Sequence, residues 1–474
     1  MWVKARTRSA SLPVSRADVI RALDRYLIDK VGIPSPVLME HAAHLVADAI
    51  RARFPDARRV MILAGPGNNG GDGYAVARHL AIAGLAVRVV AVLLPRSPEC
   101  VLHAAIAERL GLVARLEDAW EAGPPDLYVD AVYGTGQRAP LNVPPLPPLD
   151  APLVALDVPT GIDADTGARL GEFPRADHVV TIGRLKPFLF VHPIPWDLVD
   201  IGAELISGEP PEAVLVDSLT PTPFAAGETK WSRGHVGVYA GSPEMAGAGV
   251  LASRAALRAG AGLVTLLVPK DAWSRLGSLP PEVMVRDRAA LEHGALERYD
   301  ALVVGPGLGR GPDEDVRRIW RELPIPCVFD ADGLTAIVSL PPSAHPRLIT
   351  PHAGEAARLL GTPWRELEAD RLRTAARLRD LAPAIYKGAN PIVTGAPLRI
   401  VRGGNAQIAT GGSGDVLAGL CGALLARARP RDREAVEAVA LEAAWLHQRA
   451  GVLAGPVGIG ASDIADALPR ARTP

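Results

Sequence analysis

Only three cysteines occur in the 474 residues, Cys100, Cys327 and Cys421, far apart and in apolar company. No CxxC pair or Cys/His spacing accompanies them, which excludes a disulfide framework and a structural zinc site and suits a reducing cytoplasm. An excess of charge of one sign is also missing: 51 Lys and Arg stand against 52 Asp and Glu, a formal net charge of −1. Neither nucleic acid nor a membrane surface is therefore expected as a partner. Every long apolar run is broken by Arg, Gly or Pro, and no apolar region follows the basic start Met1-Trp2-Val3-Lys4-Ala5-Arg6, so no spanning helix or signal peptide is expected. Walker A patterns and short internal repeats are absent too. What remains, 48% hydrophobic and 22% charged, is a cytoplasmic, globular composition long enough for two or three cores.

Strand-like and helical stretches alternate throughout, and several strands open into glycine-rich turns, the pattern of α/β folds with mostly parallel sheets. Ser15 precedes a helical face of Val19, Leu23 and Leu27 that stops at Gly32, and Ser35-Pro36 starts a second helix through Leu38, Ala42, Leu45 and Ala49. His41 and His44 lie three apart on that helix without a carboxylate or cysteine motif, so we read a solvated face rather than a metal pair. The strand Arg59–Ala64 runs into Gly65-Pro66-Gly67-Asn68-Asn69-Gly70-Gly71-Asp72-Gly73, read as a loop, followed by a helix from Tyr74 and a strand from Val87. Such a unit is where α/β folds hold phosphates. The letters satisfy GxGxxG, but no acid closes the second strand to hold a ribose, which argues against an ordinary hydride-transfer site. Two more strands end on acids, Asp130 and Asp157. Carboxyl ends of parallel strands share one crevice, so Asn69, Asp130, Asp157 and Thr160 are expected to meet there, although each acid alone would serve equally as a turn or cap residue.

Gly65–Gly73, Asp130–Gly136, Asp157–Gly167 and Ala176–Pro187 resemble, in order and spacing, the NAD(P)H-hydrate epimerase family. The resemblance implies a Rossmann-like three-layer αβα domain, residues 1–211, that interconverts the epimers of hydrated NADH or NADPH at C6. It further implies a potassium ion held by Asn69, Asp130 and Thr160, and substrate contacts from Asn68, Asn69, Gly70, Gly71, Asp72, Gly134, Thr135, Gly136, Gln137, Arg138 and Asp157, the last catalytic. Thr160 stands where the family usually has Ser. Phe188-Leu189-Phe190-Val191-His192-Pro193 departs from the family's Gly- and Tyr-containing segment, which bears on a local lid.

Gly208-Glu209-Pro210-Pro211 opens a proline-containing stretch to about Gly227 that reads as a linker. Beyond it, Ala409-Thr410-Gly411-Gly412-Ser413-Gly414-Asp415-Val416-Leu417-Ala418-Gly419 carries the clearest chemistry. Small residues let N–H groups converge at the start of a buried helix, an anion site, and Asp415 stands where a carboxylate takes a proton from a hydroxyl beside a phosphate; the other reading is a turn capped by Asp415. Lys387-Gly388 places a cation at a strand end, facing either a nucleotide phosphate or solvent. His352 is either a ligand contact or a structural histidine, and Asp330 and Asp332 either orient a magnesium ion or cap the next helix.

The ordered set GSPEMAGAG, AGAGLV, GPGLG, DADGL, TPHAGE, YKGAN and ATGGSGDVLAG resembles the ADP- or ATP-dependent NAD(P)H-hydrate dehydratase family, whose fold is similar to ribokinase. The resemblance implies a second three-layer αβα domain, residues 222–474, using ADP and a magnesium ion. Lys387, Gly388, Ala389, Asn390, Pro391, Asn405, Thr410, Gly411, Gly412, Ser413 and Gly414 would bind the nucleotide; Ala261, Gly307, His352 and Asp415 would contact the hydrated cofactor, Asp415 as base. Arg233 and Thr335 depart from the family's Lys and Asn. The two halves stand in the order of bacterial bifunctional hydrate-repair enzymes, and a homo-oligomer is expected. The same loop and base would serve a ribokinase-like small-molecule kinase fused to a non-catalytic binding domain.

Overall fold

The computed structural model describes residues 11–115, 124–202, 210–290, 293–309, 311, 313–403 and 406–473. They divide into two compact units, Leu12–Glu212, and Ser11 with Ala213 onward.

A short strand, Ser11–Val14 (β1), leads into the first unit's helices Ala17–Arg25 (α1) and Ser35–Arg53 (α2). α1 continues through a wider turn, Tyr26–Val31, and stops at Gly32, whose φ of 83° favours glycine. Leu23 and Leu27 are buried as their spacing requires, and His41 and His44 are exposed. The sheet is built from Arg59–Ala64 (β2), Ala86–Ala91 (β3), Val113–Ala114 (β4), Leu127–Ala131 (β5), Leu153–Leu156 (β6), His178–Ile182 (β7) and Trp196–Val199 (β8). Its order is β4-β3-β2-β5-β6-β7-β8, parallel throughout. The chain starts centrally at β2, winds to one edge and returns to the other side, the doubly wound Rossmann arrangement with its switch point between β2 and β5. Both faces are covered: Val60, Ile62, Val129 and Val154 pack with Val46, Ile50, Val76 and Leu80, while Met61, Leu63, Tyr128 and Leu153 pack with Phe173. Double burial is why these strands read as unbroken apolar runs. The connecting helices include Asn68–Ile82 (α3) and Pro98–Arg109 (α4).

The second unit opens within the expected linker, where Ala213–Val216 forms a strand (β9). Both of its neighbours in the sheet, β1 and a strand near Leu398, lie far off in the chain, so no local pattern announces it. The main sheet comprises His235–Tyr239 (β10), Leu263–Val268 (β11), Met284–Asp287 (β12), Ala301–Val304 (β13), Cys327–Phe329 (β14) and Arg347–Ile349 (β15), ordered β12-β11-β10-β13-β14-β15 and again parallel. Beyond it, Ile385–Tyr386 (β16), Ile392–Val393 (β17) and Leu398–Val401 (β18) form an antiparallel set, and β9 pairs parallel with β18. Around these lie Ala246–Arg258 (α5), Asp313–Glu322 (α6), Asp332–Ala336 (α7), Ala353–Leu360 (α8), Trp364–Ala369 (α9), Arg371–Leu381 (α10), Ser413–Ala428 (α11), Arg433–Ala454 (α12) and Ala461–Ala471 (α13). α11 is the buried core helix. A Cβ on Gly419 would lie 2.1 Å from the Ala252 carbonyl of α5, and one on Gly422 2.4 Å from the Val303 side chain of β13, so hydrogen alone fits at both contacts. All three cysteines are buried and unpaired, and no described helix is long and apolar enough to cross a membrane.

Candidate functional site

At the carboxyl edge of the first sheet, α3 begins at Asn68, with Gly67 as its cap, rather than at Tyr74 as the sequence suggested. Close packing overrides the poor helix propensity of glycine here. A Cβ on Gly70 would sit 2.0 Å from the Gly65 carbonyl oxygen, and one on Gly73 2.5 Å from Ala131 Cβ. The helix start thus presses onto the sheet edge and bounds a cavity of about 510 Å3. Asn68, Asn69 and Asp72 line it with Gly134, Thr135, Gly136, Gln137 and Asp157, together with side chains from α1 and α2.

Asp157 occupies the left-handed region at φ 65°, a strained placement for a residue with a side chain. It accepts from Ile182 N at 3.0 Å and pairs with the fully buried ammonium of Lys186, which also reaches Thr181 Oγ1 (3.0 Å) and the Ile182 carbonyl (2.7 Å). Asp130 is wholly buried and accepts from Thr160 N (2.8 Å), Thr160 Oγ1 (2.7 Å) and Val132 N (3.1 Å). Burial pushes it up to about 6 against these donors. Thr160 Oγ1 in turn accepts from Tyr133 N at 3.1 Å. Asn69 packs against Gly134, next to Tyr133, and its buried Nδ2 has no partner. Exchanging the amide's N and O leaves its shape unchanged and presents an oxygen there, so the donor chemistry of Asn69, Asp130 and Thr160 is compatible with a monovalent cation.

Gln137 lines the cavity and is also held by hydrogen bonds of its own, while three other sequence-derived contacts lie off the lining. Gln137 donates to the Pro159 and Ile162 carbonyls (3.0 and 2.6 Å) and accepts from Gly161 N (2.8 Å), so its amide ties two loops together. Gly70 and Gly71 serve helix packing, the latter against Met39, and with the exposed Arg138 they are not among the cavity's lining residues. Pro187–Phe190 folds as a short turn with Phe188 and Leu189 buried, Phe188 N bonding the Ala164 carbonyl at 3.1 Å; it packs on that loop and does not line the cavity. Sequence reasoning missed Asp24 of α1, which lines the cavity. Its signal was an acid at apolar spacing from Ile20 and Ile28. Burial and the nearby Asp157 push Asp24 up to about 6, and burial with both neighbours holds Asp72 well above the usual carboxylate range.

At the carboxyl edge of the second sheet, α11 begins at Ser413 behind Gly412, whose φ is 88°. A Cβ on Gly414 would lie 3.4 Å from both Asp330 Oδ2 and Lys387 Nζ, so the helix start sits directly over that pair. Lys387 Nζ donates to Asp330 Oδ1 at 2.6 Å and lies 3.6 Å from Glu355 Oε2; Thr350 Oγ1 donates to Asp330 at 2.9 Å. Burial, then Asp330, pushes Asp415 up to about 7 despite Lys387. The nearby His447 is depressed to about 4 by burial, and its Nε2 lies 3.1 Å from the Ser413 carbonyl and 3.2 Å from Ser413 Oγ, bracing the first turn.

Asp330 is thus the partner of Lys387, while Asp332 accepts from Gly309 N at 2.9 Å and anchors the Gly305–Gly309 turn. Among the described residues no group of three His, Cys, Asp or Glu is arranged to hold a metal ion. His352 caps α8: its Nδ1 accepts from Gly354 N (3.0 Å), and Glu355 Oε2 accepts from His352 N (2.8 Å). Its ring remains exposed beside Glu355. Gly307 crosses Met245 and Ala248 at φ 58°, where a side chain would clash. The Lys387–Pro391 loop is held by Arg371, which donates to the Lys387 carbonyl (3.1 Å), and by Asn390 Oδ1, which accepts from Gly403 N (3.0 Å). Ala261 is not brought to this edge: it precedes β11, whose parallel register with β10 puts it at the amino edge, buried in the core. Asn405 lies outside the described residues. Glu355, His447 and Arg371 were missed, Glu355 although it ends a recognised motif, the other two because only the fold brings them near.

Residues 236–469 match the family model described as NAD(P)H-hydrate dehydratase, and residues 35–188 that described as YjeF-related protein N-terminus. The bifunctional NAD(P)H-hydrate repair enzyme Nnr of Escherichia coli (strain K12) is 36% identical over 408 residues, 80% of this chain and 78% of that protein. Its counterpart in Thermanaerovibrio acidaminovorans is 37% identical over 434 residues, 81% and 84% of the two chains. A solved ADP/ATP-dependent NAD(P)H-hydrate dehydratase from Bacillus subtilis aligns at 25% identity and a TM-score of 0.46, covering 53% of this chain and 92% of that one. With full-length relatives at this identity across most of both chains, the protein belongs to the family of bifunctional NAD(P)H-hydrate repair enzymes.

Proposed function

We infer that this chain repairs hydrated nicotinamide cofactors. The first unit interconverts the R and S epimers of hydrated NADH or NADPH; the second uses ADP to dehydrate the S epimer, yielding NADH or NADPH, AMP and phosphate. The meeting of Asp415, Lys387 and Asp330 at the glycine-lined start of α11 carries this reading.

A hydroxyl on the reduced ring is a poor leaving group and must first be activated. Asp415, as carboxylate, takes the hydroxyl proton while the oxygen bonds to the terminal phosphorus of ADP and AMP departs. N–H groups from Gly411 to Gly414 and the start of α11 stabilise the charge on the phosphoryl oxygens, and Lys387 adds a partly buried positive charge. The ring nitrogen's lone pair then expels phosphate, and loss of a proton from C5 completes the double bond. A magnesium ion would arrive on the nucleotide phosphates and neutralise part of their charge. In the first unit, Asn69, Asp130 and Thr160 would hold a potassium ion, a fixed positive charge at the sheet edge. Three buried, unpaired cysteines support a reducing compartment, the cytoplasm.

The test is recovery of nicotinamide absorbance when the protein meets ADP, magnesium and each epimer of hydrated NADH separately. The S epimer should recover directly and the R epimer only through epimerisation; a kinase acting on some other molecule would leave the absorbance unchanged. Asp415→Asn should slow dehydration by about 10²–10⁴-fold, the usual worth of a general base. Full activity in that variant would refute the assignment.

A further inference from the structure

α1 and α2 present an apolar wall to the first unit's cavity, with Ile20, Leu23, Leu38 and Met39 among its side chains, and the carboxyl of Asp24 interrupts it. Among the described residues Asp24 has no hydrogen-bond or ion-pair partner. A carboxyl set without a partner in an apolar wall weakens the fold, so its use lies with what occupies the cavity. Two more carboxyls face the same space, Asp72 from α3 and Asp157 at the end of β6. The cations around Asp24 and Asp72 are already engaged: Lys186 with Asp157, Arg21 with the Thr135 carbonyl at 3.4 Å, and Arg184 with Ser15 Oγ at 3.0 Å. Three carboxyls gathered around one ammonium cannot all be ionised, so the cavity holds at least one carboxylic acid beside a carboxylate.

We propose that Asp24 is a second catalytic carboxyl of the epimerisation, the acid that protonates the departing C6 hydroxyl while Asp157 takes the proton of the returning water. This rests on the epimerase reading of the cavity. The C6–O bond breaks as the ring nitrogen's lone pair forms a C6=N bond, and water leaves carrying the Asp24 proton. Water then adds to the other face of C6, its proton passes to Asp157, and the nitrogen regains its lone pair. The reverse direction exchanges the two roles, and solvent restores the protonation states; no oxidant or reductant is needed. Asp24, pushed to about 6 by burial and by Asp157, can give and retake a proton near neutrality, and it stands in the apolar wall facing Asp157 across the cavity.

The experiment follows conversion of the R to the S epimer of hydrated NADH by the full chain, with dehydration of pure S epimer as an internal control. Asp24→Asn should lower kcat for epimerisation by about 10²–10⁴-fold, with KM changed far less and dehydration intact. Asp24→Glu, which keeps the acid, should recover at least a tenth of the parental rate with a displaced pH profile. Parental epimerisation in Asp24→Asn overturns the proposal, as does an Asp24→Glu variant no better than Asp24→Asn. If the parent itself converts R to S no faster than the uncatalysed reaction, the epimerase reading fails, and the proposal with it.

Discussion

Asp415 and Lys387 show how a side chain's role depends on its immediate company. Lys387 reads in the sequence as a cation free to meet a phosphate, but in the structure Asp330 already holds its ammonium at 2.6 Å with Glu355 beyond. The same Asp330 raises the proton affinity of Asp415, whose value of about 7 makes the base half-protonated near neutrality. A base must be ionised to work. Dehydration kcat/KM should therefore rise tenfold per pH unit below about 7 and level above it, as a pH–rate profile would show. Asp330→Asn removes an anion beside Asp415 and releases Lys387 towards it, two changes in the same direction, so the acid limb should move to lower pH. An unmoved limb would mean that another group titrates. Folding stability follows the opposite sense: Asp415 keeps its proton in the native state between about pH 4 and 7, so its contribution fades as pH rises through that window. The acids at strand ends were legible because a carboxylate after an apolar run stands out. Their partners were not, because Asp330 and Lys387 follow different strands and nothing near either names the other.

At the scale of elements, the first glycine motif, read as a loop, is largely a helix start, and the second lies at the start of a buried helix as read. Gly70 and Gly73 bring α3 onto the first sheet, and Gly419 and Gly422 bring α11 onto α5 and β13. A methyl group at Gly70 would sit 2.0 Å from a backbone oxygen that cannot turn aside. Gly70→Ala should cost about 1–3 kcal/mol or more in denaturant unfolding and abolish epimerisation by displacing Asn69 and Asp72. Gly247→Ala, exposed in the first turn of α5 with nothing within 4 Å, should be neutral or stabilising by up to about 1 kcal/mol. Equal effects from the two would contradict the packing argument. Glycine was visible in both motifs as freedom of the backbone. Its actual use, close approach, depends on a neighbouring surface that the motif does not contain, and the same holds for Gln137, spent on linking two loops.

For the whole molecule, each unit carries its own core, one around β2, β5 and β6, the other around α11, α5 and the second sheet. Ligand binding should therefore stabilise the units separately. In calorimetry ADP with magnesium at about 100 times its Kd should add about 2.7 kcal/mol to the second unit alone, raising one transition and leaving the other in place. A single transition shifted as a whole would show that the two unfold as one. The sequence by itself determined that the chain is α/β, that it carries two sets of strand-end motifs in a known order, and where its acids and glycines fall. All of these follow from local spacing, because the periods of helix and strand and the backbone freedom of glycine act over a few residues. Only the tertiary structure decided that β9 joins a sheet, that Ala261 lies at the far edge, that Asp330 takes Lys387, and that Asp24 shares a cavity with Asp157. Those outcomes depend on strand order, register and burial, which bring together residues far apart in the chain and set each charge's environment.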